Sequence, residues 1–275
     1  MSGSLRARAA TAALGLPLVA AAWWTGGGVW AAFVGLVSFL GGLELRRLLA
    51  ASPHAPAPEV VVLGGLAFVG AAYIATRAGA SGPAALGSVT VAVAVYSLVR
   101  ETLRPTLAAF PRAAAATTGA LYVGGFPAHL VLLREAEAGR ALVALALGGA
   151  WAHDLLAFAF GRLLGGRRLV PHLSPNKTIS GAVAGWLGGM VAVILVGVLG
   201  VGFSVNRATA LGAAVALAAL LGDLVESALK RGAGAKDAGT LLPGHGGVLD
   251  RFDSLLLAAP VVYYLLLAWG EPALP

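Results

Sequence analysis

Residues 179–203 read ISGAVAGWLGGMVAVILVGVLGVGF. No charged side chain interrupts them, and a helix needs about 20 apolar residues to cross the hydrocarbon core of a bilayer. Gly181, Gly185 and Gly189 recur at four-residue spacing, a ladder of small residues that lets a second helix approach closely. Open sheets cannot span lipid, because their edges leave backbone N–H and C=O groups unpaired. The stretch therefore predicts a membrane helix with one close-packing face.

Eight further stretches qualify by the same measure: residues 9–24, 29–45, 59–76, 83–99, 117–133, 141–161, 208–229 and 254–269. None shows the alternation of a half-buried strand. Composition agrees, since the 275 residues are 59% hydrophobic and only 11% charged, whereas a soluble domain carries roughly a quarter charged residues. The expected fold class is all-α, a polytopic integral membrane helical bundle of about nine transmembrane helices. It forms a single membrane domain over residues 1–275, with N-terminal helices in 1–133 and catalytic helices in 141–269. Arg6 and Arg8 precede an Ala/Leu run, as in a signal peptide, but Trp23 and Trp24 close that run and a second span follows at once. An uncleaved first helix is expected, with a cleaved signal as the alternative. Cysteine is absent, which excludes disulfides and thiolate metal sites and leaves the redox compartment unread.

The net charge of +7 is compatible with nucleic acid or with a cytoplasmic membrane face, and the distribution of the cations decides. With the N-terminus inside, 15 of the 19 Lys and Arg residues fall on cytoplasmic segments, and only Arg77, Arg134, Arg140 and Arg207 fall on the other side. Positive charge inside accounts for the basic balance without a nucleic-acid partner. The longest polar connections, 46–58, 100–116, 162–178 and 230–253, are all cytoplasmic on this count.

Charges at membrane depth are costly and commonly line a cavity or pathway. In the C-terminal half they are Asp154 beside His153, and Asp223 with Glu226. Asp223, Glu226, Ser227 and Lys230 follow helical spacing and share one face. The plain structural alternative is a buried Glu226–Lys230 pair. That face leads into KDAGTLLPGHGGVLDRFDS, residues 236–254, which holds three of the chain's twelve acidic residues. If Asp250 and Asp253 are helical they point the same way, and with Asp223 they form a set of hard oxygen donors suited to Mg²⁺. The glycines of PGHGG let backbone approach a ligand and leave amides for phosphate; a solvated hairpin is the alternative. Upstream, Arg162, Arg167, Arg168 and Lys177 suit anionic headgroups or nucleotide phosphates, or simply mark the inner face. Lys177 differs in lying in SPNKT, where a cation, hydroxyls and a helix N-terminus coincide. His54, His129 and His172 stand alone and read as structural or solvated, while His153 stays open.

SALKRGAGAKDAGTLLPGHGGVLDRFDS, residues 227–254, resembles the signature of phosphatidate cytidylyltransferases, S-x-x-K-R, four residues, K-D, a spacer and H-G-G-x-x-D-R-x-D. Ser227, Lys230, Arg231, Lys236, Asp237, His245, Gly246, Gly247, Asp250, Arg251 and Asp253 fill every fixed position. The preceding GDLVES and the SPNKT segment are also similar to family segments, so the likeness covers residues 150–254. One position departs: the family's S-P-x-K-T-x-E-G has Ser180 in place of Glu, and Ser180 is left out of the site.

The resemblance implies transfer of CMP from CTP to phosphatidic acid, giving CDP-diacylglycerol and pyrophosphate at the cytoplasmic membrane, with the site facing the cytoplasm. Asp223, Asp250 and Asp253 are the expected ligands of Mg²⁺, with room for a second cation. Lys230, Lys236, Asp237, His245 and Arg251 are expected in catalysis, and Lys177, Ser227, Arg231, Gly246 and Gly247 in substrate binding. Glu226 and Asp154 are secondary polar-cavity candidates. The expected partners are CTP, phosphatidic acid and membrane lipids, with no nucleic acid and a homodimer left open. Two other classes remain: a CTP-dependent polyprenol or phytol kinase, which would release CDP, and an ion-coupled transporter using Asp154, Asp223 and Glu226 as a relay. The transporter class predicts paired broken helices in two halves, and no repeat is visible.

Overall fold

The computed structural model describes residues 2–104, 107–242, 244, 246–270 and 274–275, leaving out the side chains of 2–10, 12 and 14. Among the described residues nine helices follow one another: α1 Ser2–Thr25, α2 Gly27–Leu48, α3 Pro58–Ala78, α4 Gly82–Thr102, α5 Ala109–Glu135, α6 Gly139–Leu164, α7 Ile179–Val201, α8 Val205–Gly232 and α9 Leu249–Ala268. Among the described residues, α2 to α9 are eight helices long and apolar enough to cross a membrane. The chain is an all-α, multi-pass membrane protein.

Apart from α7, the helices begin before the apolar stretches, because helix ends are made of capping and turn chemistry that hydropathy does not register. The Thr178 hydroxyl accepts the Gly181 N–H at 3.1 Å and starts α7. Gly79, at φ 63°, ends α3 in the left-handed conformation. α5 widens into a π-helical turn at Leu121–Gly125, directly before Pro127, which lacks the N–H that regular α geometry would use. α9 begins at Leu249, five residues before the apolar stretch, and takes Asp250 into its first turn.

The chain forms two compact units. The first contains Met1–Glu135, Ala233–Arg251 and Pro275; the second contains Ala136–Gly232 and Phe252–Leu274. In the first unit α5 is the enclosed element, with 78% of its apolar window buried against 22% for α4. α4 turns Val91, Val95 and Val99 outward, as a lipid-facing helix does. Gly124 of α5 meets the backbone of Gly65 on α3, an approach that no Cβ could share.

In the second unit the glycine ladder packs α7 onto α6 as its spacing predicts. A Cβ at Gly181 would lie 2.6 Å from the Ala157 carbonyl, and one at Gly189 would lie 2.8 Å from the Gly149 carbonyl. The α6–α7 connection is an antiparallel hairpin, β1 Arg168–Val170 paired with β2 Ser174–Thr178. Strands of three and five residues are too short to show a period in sequence. SPNKT is thus a strand ending on a helix cap.

Candidate active site

The signature divides between the units. In the second, four acidic and two basic side chains from β2, α6, α8 and α9 gather around buried hydroxyls. Lys177 of β2 pairs with Asp223 of α8, both partly exposed. One turn further along α8, Lys230 donates to Glu226 at 3.0 Å, and Glu226 is 1% exposed. The Glu226–Lys230 pair anticipated from spacing is therefore present. Ser227 lies buried beside it on the same helix.

α9 comes close to α8 because residue 222 is glycine: a Cβ there would sit 2.5 Å from the Asp253 carbonyl. Asp253 Oδ1 accepts the N–H of Ser254 at 2.8 Å. The buried Ser254 hydroxyl lies 2.9 Å from each carboxylate oxygen of Asp154 on α6. Asp154 feels the charges of Asp253, Asp223 and Lys177, so these groups form one electrostatic neighbourhood. Buried His153, on α6 beside Asp154, sets its ring against Gly185, where a Cβ would lie 3.1 Å from the ring's Cε1. Arg231 leaves the cluster, donating from Nε to the Leu173 carbonyl at 3.1 Å and tying α8 to the hairpin.

In the first unit the signature forms a loop closed at its neck by carboxylates. Asp250 Oδ2 accepts two backbone N–H groups, from Ala238 at 2.9 Å and from Gly247 at 2.8 Å. Leu242 N–H donates to the Gly246 carbonyl at 2.9 Å, and Gly246 adopts φ 82°, a conformation glycine takes without strain. Lys236, Asp237 and Arg251 are exposed. His245 lies outside the described residues.

Two residues of this machinery escaped the sequence reading. Glu44 of α2, 1% exposed, accepts the N–H groups of Val248 and Leu249 at 2.9 Å each. Its signal was a carboxylate within an apolar span. Ser254 closes the quoted loop segment, yet nothing local distinguishes its hydroxyl from a solvated one. Ser180, where the family pattern has Glu, bonds the Gly165 carbonyl and the Thr178 hydroxyl.

The expected magnesium ligands are distributed as Asp250 in the first unit and Asp223 with Asp253 in the second. Among the described residues no three His, Cys, Asp or Glu side chains form a metal-holding group. Mg²⁺ typically takes only one or two carboxylates, completed by water and substrate phosphate. The second unit's excess of carboxylates over lysines supplies such donors, and buried carboxylates without counter-charge are costly. The donor set fits a hard divalent cation.

The sequence model described as the cytidylyltransferase family matches residues 6–269. A phosphatidate cytidylyltransferase of Synechocystis is 31% identical over 290 residues, covering 94% of each chain. One of Brucella suis is 41% identical over 162 residues, 57% of this chain and 58% of the relative. One of Staphylococcus haemolyticus is 44% identical over 119 residues, 42% of this chain and 45% of the relative. The Brucella and Staphylococcus matches thus span about half of each relative.

Proposed function

The chain belongs to the cytidylyltransferase family, and from that premise we propose that it transfers CMP from CTP to phosphatidic acid at the cytoplasmic face of the cell membrane. An oxygen of the phosphatidate monoester attacks the α-phosphorus of CTP. The new P–O bond forms as the bond from that phosphorus to the β-phosphate bridging oxygen breaks, and pyrophosphate leaves with the electron pair. The monoester dianion is already nucleophilic, so no activated serine or cysteine is required.

The observation that carries this reading is the paired arrangement of Lys177 with Asp223 and of Lys230 with Glu226, in a chain whose signature is complete in sequence. Two polyanions must meet, and cations fixed beforehand lower that cost without reorganisation at the moment of reaction. Lys177 and Lys230 are held by carboxylates rather than by solvent, and serve the triphosphate and the phosphatidate headgroup. Asp223 and Asp253 of the second unit would hold Mg²⁺, which would neutralise charge on the triphosphate. Lys236, Asp237 and Arg251, exposed on the loop, meet the soluble nucleotide, while the lipid tails stay in the bilayer.

Purified protein incubated with CTP, phosphatidic acid and Mg²⁺ should form CDP-diacylglycerol and release pyrophosphate. Release of CDP with a phosphorylated lipid would establish a kinase instead. The orientation rests on the 15 cations assigned to one side. Cysteines placed at Ser4 and Pro275 of this cysteine-free chain should differ in labelling by an impermeant reagent, with only position 275 reacting in intact cells. Equal labelling of the two would overturn the orientation.

A further inference from the structure

We propose that Glu44 is a positioning residue for cytidylyl transfer: its buried carboxylate, carried on α2, fixes the neck of the signature loop and the start of α9. The part concerning catalysis rests on the function proposed above; the clamp itself rests on geometry alone. A carboxylate inside a membrane span is costly, and no ion pair among the described residues involves Glu44. Its oxygens instead accept the Val248 and Leu249 N–H groups, two of the donors a helix start leaves unsatisfied.

A local Ser or Asp is enough to cap a helix. Here the acceptor comes from a residue 204 positions away in sequence, so it does something a local cap cannot: it ties the loop to α2. The close fit on both sides of the loop agrees. A Cβ at Gly239 or at Gly247 would lie 2.6 Å from a Glu44 oxygen, so the carboxylate touches the loop where it leaves and where it returns. Three residues earlier on α2, Gly41 makes room for Leu249, whose Cδ2 would lie 3.0 Å from a Cβ there. Asp250 grips the same strands of the neck through the Ala238 and Gly247 N–H groups. The neck is thus held by two carboxylates, one from the loop's own helix and one from α2.

The test uses E44Q, E44A, G239A and the E44A/G239A double variant of the full chain in detergent. Amide hydrogen exchange at 238 and 247–249 should accelerate in E44Q, with helices α3 to α8 unchanged. The kcat/KM for CDP-diacylglycerol formation should fall about a hundredfold in E44A, the scale of a roughly 1 Å misplacement of a reacting group. G239A alone should also impair the enzyme, because its methyl presses on the carboxylate, yet it should add nothing in the E44A background. Unchanged exchange in E44Q, or penalties of E44A and G239A that multiply independently, would overturn the proposal. If E44A fails to insert, E44Q and G239A carry the same comparison. A wild-type protein that makes no CDP-diacylglycerol would defeat the functional reading, while the exchange experiment would still decide the clamp.

Discussion

The two carboxylate groups of the molecule use one residue type for opposite ends. In the first unit, Glu44 and Asp250 accept backbone N–H groups, four bonds of 2.8 to 2.9 Å that fix the course of the chain. In the second, Asp154, Asp223, Glu226 and Asp253 meet side-chain cations or a hydroxyl. Backbone donors cannot be exchanged without unfolding the loop, whereas lysines, protons and divalent cations can be redistributed around an incoming phosphate. The first arrangement holds shape, and the second is the one for which chemistry is proposed.

The sharpest way to break that contrast is Asp253→Asn. It keeps the size and hydrogen bonding of the side chain, so melting should change little. Removing charge from a proposed metal ligand should lower turnover about a thousandfold, the upper range for loss of a single transition-state electrostatic contact. Near-normal CDP-diacylglycerol formation by the purified variant would place Asp253 among the structural carboxylates.

Asp250→Asn should sit between the two classes, because Asp250 has a backbone duty in the structure and a proposed metal duty beside it. Turnover should fall about a hundredfold, and a Mg²⁺ titration should recover only part of it, since excess cation cannot re-form the neck. Full recovery at high Mg²⁺ would make the metal duty the whole of its role. The smallest effect belongs to Ser180→Glu, which disrupts the bonds to Gly165 and Thr178. One neutral hydrogen bond is worth about 1 kcal/mol, so activity should stay within about tenfold. A large gain in turnover would show that position 180 works in the site after all.

How much of this was legible differs between the units for a physical reason. In the second unit the Glu226–Lys230 pair and the glycine ladder follow from helical spacing alone, because neighbours at i+4 are set by the backbone of one helix. The signature loop announced itself by concentrating charge in an apolar chain. The loop's neck was not legible: Asp250 was expected only as a metal ligand and Glu44 was not singled out, yet their carboxylates hold the described part. Nothing in the sequence links Glu44 to a helix start 204 positions away in the chain.

By itself, then, the sequence determined an all-helical membrane protein, where its apolar stretches run, and which loop concentrates its charges. Those properties come from solvent exclusion and from bonding within single helices, both local along the chain. Only the tertiary structure decided which carboxylate meets backbone and which meets lysine, that Ser254 serves Asp154, and that α2 reaches the loop. Each of these depends on which helix faces are packed together, and small residues such as Gly222, Gly239 and Gly247 permit that closeness without naming the partner they admit.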